Sequence, residues 1–349
     1  MDEYAHVEKR LSGKFRVRIW RNNTRYNVGT FATIGEAQRE RDKFLALIDS
    51  GTAYTAHNGY RATGMRAERD IDSDNVYRRA IEQYDSILAI ELKRQQQILE
   101  FDQSIVCLVF TADHHLGDPG TDIRRAFDEA ELVMEMPNTY MVTVGDMSDN
   151  FVLEKLRYAR DKSVLSIPDE VTLIRRYMKL IAPKWVIAVA GNHEFFQEVL
   201  IGYDFHRDQV ATYAPHALYD SDDCRVVVSV AGTQFTGRIR HKWRGNSIYN
   251  DTQGIERAAK WDQDFMFGVG GHSHAAGLIR EFNLAGTTGI AALCGSYERI
   301  DAYARRLGFA KANHSTAVAI VFDGEHGTMT GFSDLDVANH YMQSMELNA

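Results

Sequence analysis

Acidic, imidazole and carboxamide side chains recur in this chain of 349 residues just where short apolar runs end. Ile105 to Ala112 runs into Asp113-His114-His115, and Tyr140 to Val144 runs into Gly145-Asp146-Met147-Ser148-Asp149-Asn150. Trp185 to Ala190 is followed by Gly191-Asn192-His193-Glu194, Gln234 to Arg240 by His241, and Phe265 to Gly270 by Gly271-His272-Ser273-His274. Each segment offers oxygen or imidazole nitrogen donors, so the chemistry indicated is metal ligation. Taken singly, the tags have ordinary readings. Asp-x-His is met by any acid and base sharing a loop, a lone histidine is as readily a hydrogen-bonded core or surface residue, and Gly-Asp-x-x-Asp also suits a helix cap. Gly-Asn-His-Glu and Gly-His-x-His are more selective, and five tags in this order, each at a strand end, argue against coincidence.

The elements that must position these residues follow from the apolar pattern. From Ile105 onward, strand-sized apolar runs alternate with amphipathic stretches, which predicts an α/β layered core. Asp122 to Met134 reads as a helix. So does Pro168 to Ile181, with Val171, Ile174, Met178 and Ile181 on one face. Strands of such a core that run parallel end on one edge, where ligands of α/β proteins gather.

The ordered set resembles the signature of the calcineurin-like metallophosphoesterases, over roughly residues 104–331. The resemblance implies a layered αββα sandwich. It implies that Asp113, His115 and His274 hold one metal, that Asn192, His241 and His272 hold a second, and that the carboxylate of Asp146 bridges them. Two divalent ions about 3.5–4 Å apart need a bridging anion, and they clamp the attacking and leaving oxygens of a phosphoryl transfer. Mixed imidazole and carboxylate ligation suits Mn, Fe or Zn better than Mg or Ca, with Mn expected first. A metal-bound hydroxide is the expected nucleophile. His193 is expected to contact the phosphate and to protonate the leaving oxygen as a general acid. Asp149 is expected to orient His193 or its neighbour. His114, between two ligands, is expected to face solvent. Two stretches are expected to rim the site, His241 to Ser247 and Gly295 to Arg299 with Arg305 and Arg306, through phosphate contacts or as ordinary surface charge.

Charge divides the chain. Residues 1–50 hold ten Lys/Arg against seven Asp/Glu, a net of +3, and with −8 for the whole chain the remainder carries −11. Residues 9–31 include Lys9, Arg10, Lys14, Arg16, Arg18, Arg21 and Arg25 and no acid. Lys14 to Trp20 alternates with period two, Phe15, Val17 and Ile19 on one side and Arg16, Arg18 and Trp20 on the other. Arg25 to Phe31 forms a second strand after an Asn-rich turn. Thr33-Ile34-Gly35-Glu36 has capping-box spacing before an amphipathic helix. The pattern over Gly13 to Ile48, including Tyr-x-x-Gly-x-Phe, resembles the DNA-binding domain of plant ethylene-response transcription factors, a fold also attached to phage and mobile-element nucleases. That resemblance implies a small three-stranded sheet plus helix, with Arg16, Arg18, Trp20 and Arg25 meeting phosphates and base edges. A solvated basic face is the plainer reading.

The expected domains are therefore 1–50, a DNA-binding-like unit; 51–103, a linker and a long helix; and 104–349, the phosphoesterase body. The helix is expected from about Val76 to Phe101, with Ile81, Tyr84 and Leu88 on one face, as a connector packed on the body or as an oligomerisation arm. Three cysteines without metal-ligand spacing, Cys107, Cys224 and Cys294, and an N-terminus without a signal-peptide pattern lead to the expectation of a cytoplasmic protein with reduced thiols. Apolar runs are too short for a membrane span, and a membrane partner is not expected. Three functions remain: a DNA phosphodiesterase delivered by the basic unit, a phosphomonoesterase or nucleotide phosphodiesterase, and a DNA-bound adaptor with a structural metal site. A full ligand set argues against the adaptor, and the acidic body opposes a long DNA.

Overall fold

Period-two alternation in the first fifty residues folds as β1 (Tyr4–Lys9), β2 (Phe15–Arg21) and β3 (Thr24–Phe31), an antiparallel sheet in that order, followed by α1 (Ile34–Asp49). This computed structural model describes residues 4–21, 24–50, 73–93, 97–149, 163–245, 247, 249–262, 265–274, 277–284, 286–299 and 316–347. The chain forms two units, residues 1–81 and 82–349. In the first, Val17 and Ile19 are buried with Ala37 and Ile48, and Phe15, Tyr26, Val28, Phe44 and Leu45 complete this small core. The capping box forms as expected: Thr33 Oγ1 accepts the Glu36 N–H, and the Glu36 carboxylate accepts the Thr33 N–H. Since α1 covers the Val17 and Ile19 face, period two leaves Arg16, Arg18 and Trp20 on the other face. The expected linker, residues 51–64, lies outside the described residues.

The long helix is shorter than the sequence suggests. It runs as α2 (Ser73–Lys93), and Gln97–Phe101 is a strand, β4, paired in parallel with a strand of the body. Gln97, Leu99 and Phe101 alternate with more exposed Ile98 and Glu100, a period of two that a helical reading overrides when it follows a strong amphipathic stretch. On α2, Ile81, Tyr84 and Leu88 are exposed at 42%, 65% and 43%.

The body is a sandwich of two six-stranded mixed sheets. One contains β5 (Ile105–Thr111), β6 (Thr139–Val144), β7 (Trp185–Val189) and β8 (Leu218–Asp220), all parallel neighbours. The other contains β9 (Cys224–Val230), β10 (Thr233–Ile239), β11 (Phe267–Gly270), β12 (Leu278–Leu284) and β13 (Thr287–Leu293) together with β4, and β10, β11 and β13 are parallel. β14 (Val318–Asp323) and β15 (Thr328–Phe332) extend the first sheet in antiparallel fashion. Val106, Leu108 and Phe110 of β5 meet Val226, Val228, Phe235 and Phe267 of the opposite sheet in a buried layer. Each such side chain contributes about 1.5–3 kcal/mol. Their neighbours Cys107 and Val109 face outward onto α3 (Ile123–Glu135) and α4 (Ile167–Ile181). Trp243 and Phe265 pack α7 (Gln253–Asp262) on the other sheet through Ile255 and Ala259. Helices thus cover both sheets, the αββα layering expected. Between them in the chain are α5 (Asn192–Ile201) and α6 (Phe205–Tyr213), and α8 (Leu335–Glu346) follows β15.

All three cysteines are buried and free. No described helix is long and apolar enough to cross a membrane.

Candidate metal centre

Parallel strands that end together deliver the motif residues to one place. Asp113 and His115 follow β5, Asp146 and Asp149 follow β6, Asn192 and His193 open α5 after β7, His241 follows β10, and His272 and His274 follow β11. The two sheets are stitched at this edge. His241 Nδ1 donates to the Val144 carbonyl at 2.7 Å, and the His272 N–H donates to Asp113 Oδ2 at 2.8 Å. Two sets of ligand atoms converge, Asp113 with His115 and His274, and Asp146 with His241 and His272; a third groups His115, Asp146 and His193. Asn192 Oδ1 lies 3.1 Å from His241 Nε2. All seven expected ligands and both expected catalytic residues are therefore brought together.

Backbone conformation shows how closely the strand ends are turned. Asp113, His115, Asp146, His272 and His274 all have positive φ, between 44° and 68°. Non-glycine residues adopt that region rarely, at a cost of order 1–3 kcal/mol each. Among the described residues only Asn138 and Ala231 share it without being candidate ligands. Gly191 explains its own motif position. A Cβ there would overlap the backbone nitrogen and Oδ1 of Asp146, so only glycine lets β7 end against the β6 turn.

The imidazoles are oriented through their outer nitrogens. His115 Nδ1 donates to Asp149 Oδ1 at 3.0 Å, His274 Nδ1 lies 3.4 Å from Glu298 Oε2, and His241 Nδ1 is held by Val144. Each contact leaves Nε2 facing the centre. His115 Nε2 and His274 Nε2 meet at 3.1 Å, and His241 Nε2 lies 3.3 Å from His272 Nδ1. Asp113 Oδ1 is buried without a hydrogen-bond donor, 3.5 Å from His274 Nε2 and 3.9 Å from both His115 Nε2 and His241 Nε2. An orphaned anionic oxygen ringed by imidazole nitrogens is what a divalent cation requires, so these residues fit the expected metals.

Electrostatics agree. Burial raises the Asp146 pKa, but the His241 imidazole outweighs it and the carboxyl is held well below its usual range. Burial opposes charge on His241, yet Asp146 and Asp113 lift its pKa to about 9. His115 is likewise raised against its burial by Asp113 and Asp149. His272 is pushed down to about 4 by burial and by the positive charges of His241 and Lys242.

Residues 108–275 match the calcineurin-like phosphoesterase family. That segment is a calcineurin-like phosphoesterase domain. Comparison with curated proteins gives no match. Similar solved structures include Vacuolar Protein Sorting 29 from Cryptosporidium parvum, at 16% identity over 66% of this chain and 99% of that one, with a TM-score of 0.31. Calcineurin-like phosphoesterase YfkN from Bacillus subtilis is 13% identical over 65% of this chain and 87% of the other, TM-score 0.33. Vps29 from Chaetomium thermophilum is 13% identical over 65% and 93%, TM-score 0.29. The family indicates a metal-dependent hydrolase.

Several expectations within the phosphoesterase domain are corrected by packing. His114 does not face solvent: it is fully buried, its Nε2 is 3.0 Å from the Tyr177 hydroxyl, and its ring stacks on Tyr297 at 4.8 Å. With Asp113 and His115 turned toward the centre, the residue between them points into the helical layer, and burial lowers its pKa to about 3. Trp243 is not a rim aromatic either. It is 8% exposed, and its indole N–H donates to the Val269 carbonyl. Tyr297 is fully buried, and Arg299 faces Asp122 at 3.7 Å. Asn246, Arg305 and Arg306 lie outside the described residues. Asp149 divides its work: its carboxylate holds His115, while its backbone carbonyl accepts from His193 Nδ1 at 2.6 Å.

Glu194 has a role that the sequence pattern did not assign. Its carboxylate accepts backbone N–H groups of Asp146, Met147, Ser148 and Gly191 at 2.9–3.3 Å, clasping the β6 turn to the start of α5. The signal was present, since a Glu three residues after Gly191 has capping-box spacing.

Proposed function

We propose that the chain is a metal-dependent phosphodiesterase that cleaves DNA, with the N-terminal unit engaging the duplex. One observation carries the reading: a phosphate-chemistry centre shares its chain with a sheet whose face opposite α1 bears arginines. On that face Arg18 Nε and Trp20 Nε1 are buried without a hydrogen-bond partner, and Arg25 is exposed. Arg16 differs, because its guanidinium is 2.6 Å from Glu8 Oε2 across the β1–β2 pair and is partly neutralised. Arg18, Trp20 and Arg25 are therefore the stronger contacts of the four.

At the centre, Asp113, His115, Asp146 and His274 would hold one divalent cation, and Asp146, Asn192, His241 and His272 another. Such a pair, with Mn the first candidate, supplies positive charge to the oxygens of a phosphoryl transfer. His193 supplies the proton. Its Nδ1 donates to the Asp149 carbonyl, so a second proton on Nε2 is the one available to a leaving oxygen. Its backbone N–H, 2.9 Å from Asp146 Oδ1, fixes the ring's residue beside the bridging carboxylate.

A second reading rests on charge. The −11 carried by residues 51–349 opposes a long polyanion and favours a phosphomonoester or nucleotide. The two are separated by assaying the full chain with Mn²⁺ on bis(p-nitrophenyl) phosphate, p-nitrophenyl phosphate, and single- and double-stranded DNA. Cleavage of the diester and of DNA is expected. Turnover of the monoester alone would overturn the nuclease reading in favour of the second.

A further inference from the structure

The stretch expected to rim the site, His241 to Ser247, holds one aromatic residue, and it is not the one that lies beside His193. Trp243 is core, but Phe196 lies one helical turn beyond His193 on α5, on the same face of the helix. Its ring centroid is 6.5 Å from that of His193, and the residue is 37% exposed. The His193 ring in turn meets His115 edge-on at 4.7 Å, so an unbroken series of rings leads from a candidate ligand to solvent. Phe195 continues the aromatic surface outward, 6.2 Å from Phe196 and 53% exposed. Lys242, which directly follows the candidate ligand His241, is exposed. A flat, part-exposed apolar ring thus lies beside the proton donor, and an exposed cation adjoins a candidate ligand in the chain.

We propose that Phe196 is a base-stacking residue: a nucleobase lies on its ring while the phosphate of the same nucleotide occupies the centre. This deepens the nuclease reading and rests on it. The chemistry is that of an unstacked base. A base within a duplex has both faces covered by neighbours, so a ring next to the reacting phosphate takes a base that has left the stack, as in a single strand, a frayed end or a mononucleotide. An exposed aromatic ring recognises any base, because each has a π-face, and it gives little sequence preference. Lys242 suits the flanking phosphate of such a strand. The substrate class assigned to the site is therefore single-stranded or locally melted DNA, without strict sequence demand.

The test uses the full chain with Mn²⁺ and two single-stranded oligonucleotides of one length, one with ordinary bases and one with abasic sites around the scissile position. The wild type should show a KM for the abasic strand raised about tenfold, within the roughly 5- to 150-fold range expected when one stacking partner is removed. Phe196→Ala should raise the KM of the ordinary strand and bring the ratio of the two close to one. Phe196→Leu keeps apolar volume without a flat face and should resemble Phe196→Ala, whereas Phe196→Trp should restore the ratio. Metal content by elemental analysis and circular dichroism verify that each variant is folded and loaded. Equal KM values for the two strands in the wild type, or a ratio that survives Phe196→Ala, would overturn the stacking role. A ratio retained by Phe196→Leu would replace stacking by simple packing and overturn it too. Failure to cleave either strand while bis(p-nitrophenyl) phosphate is hydrolysed would instead remove the nuclease reading, and this inference with it.

Discussion

His193 and the ligands beside it differ in what they should lose when altered, and the difference follows from their contacts. His193→Ala removes the proposed proton donor and none of the seven expected ligands, so metal occupancy should persist while turnover falls about 10²- to 10⁴-fold. The fall should be smaller for p-nitrophenolate, a leaving group that needs no proton, than for an alkoxide. Equal losses for the two would reduce His193 to a phosphate contact. The ligand histidines have a proton problem of their own. His241, with a pKa near 9, and the raised His115 are imidazolium at neutral pH in the metal-free protein, and each must shed a proton to ligate. Mn²⁺ affinity should therefore climb with pH, by about one decade per unit for each proton displaced, until about pH 9. Stability of the metal-free protein runs the other way. A histidine raised on folding stabilises fully below its unfolded value of about 6.5, and His241's contribution is lost as pH passes its folded value. Calorimetric titration in buffers of different ionisation enthalpy should find at least one proton released at pH 7, and none released would contradict the assignment.

Strand ends and helix starts set the precision of the centre. Gly191→Ala places a methyl group against the backbone and carboxylate of Asp146. It should lower metal content and activity together, by about 10²-fold or more, although no ligand is replaced. Normal loading in this variant would show that the β6 turn can yield. The order of strands and ligands was readable because Ile105 to Ala112, Tyr140 to Val144 and Trp185 to Ala190 are apolar runs stopped by unusual polar tags. The capping box at Thr33 and the alternation around Val17 and Ile19 were readable for the same reason: local pattern and final structure agree. What escaped was non-local. Gln97–Phe101 is a strand only because β9 lies alongside it, His114 is buried only because Tyr177 and Tyr297 arrive from elsewhere in the chain, and Trp243 is core only through α7 and Phe265. Glu194, by contrast, lay within reach of its own capping signal.

For the whole molecule, the division into a basic unit and an acidic body predicts separable tasks. All the candidate ligands lie at or beyond Asp113, so deleting residues 1–50 should leave hydrolysis of bis(p-nitrophenyl) phosphate nearly unchanged. Affinity for long duplex DNA should fall, and the salt slope of binding should flatten by about one unit for each phosphate that the shortened protein no longer neutralises. Within the intact chain Arg18→Ala should cost more affinity than Arg16→Ala, because Glu8 already claims much of Arg16. Unaltered DNA binding after the deletion would reassign the N-terminal unit and strengthen the nucleotide reading.

Five candidate ligands held at positive φ make the centre a place where durability and competence compete. At His272, φ 68°, glycine would relax the backbone while deleting a donor. His272→Gly should thus melt at a higher temperature than the parent when both are stripped of metal, yet gain less on adding Mn²⁺. Robustness alone would be served by glycine or asparagine at these positions, at the expense of the donors that a metal needs.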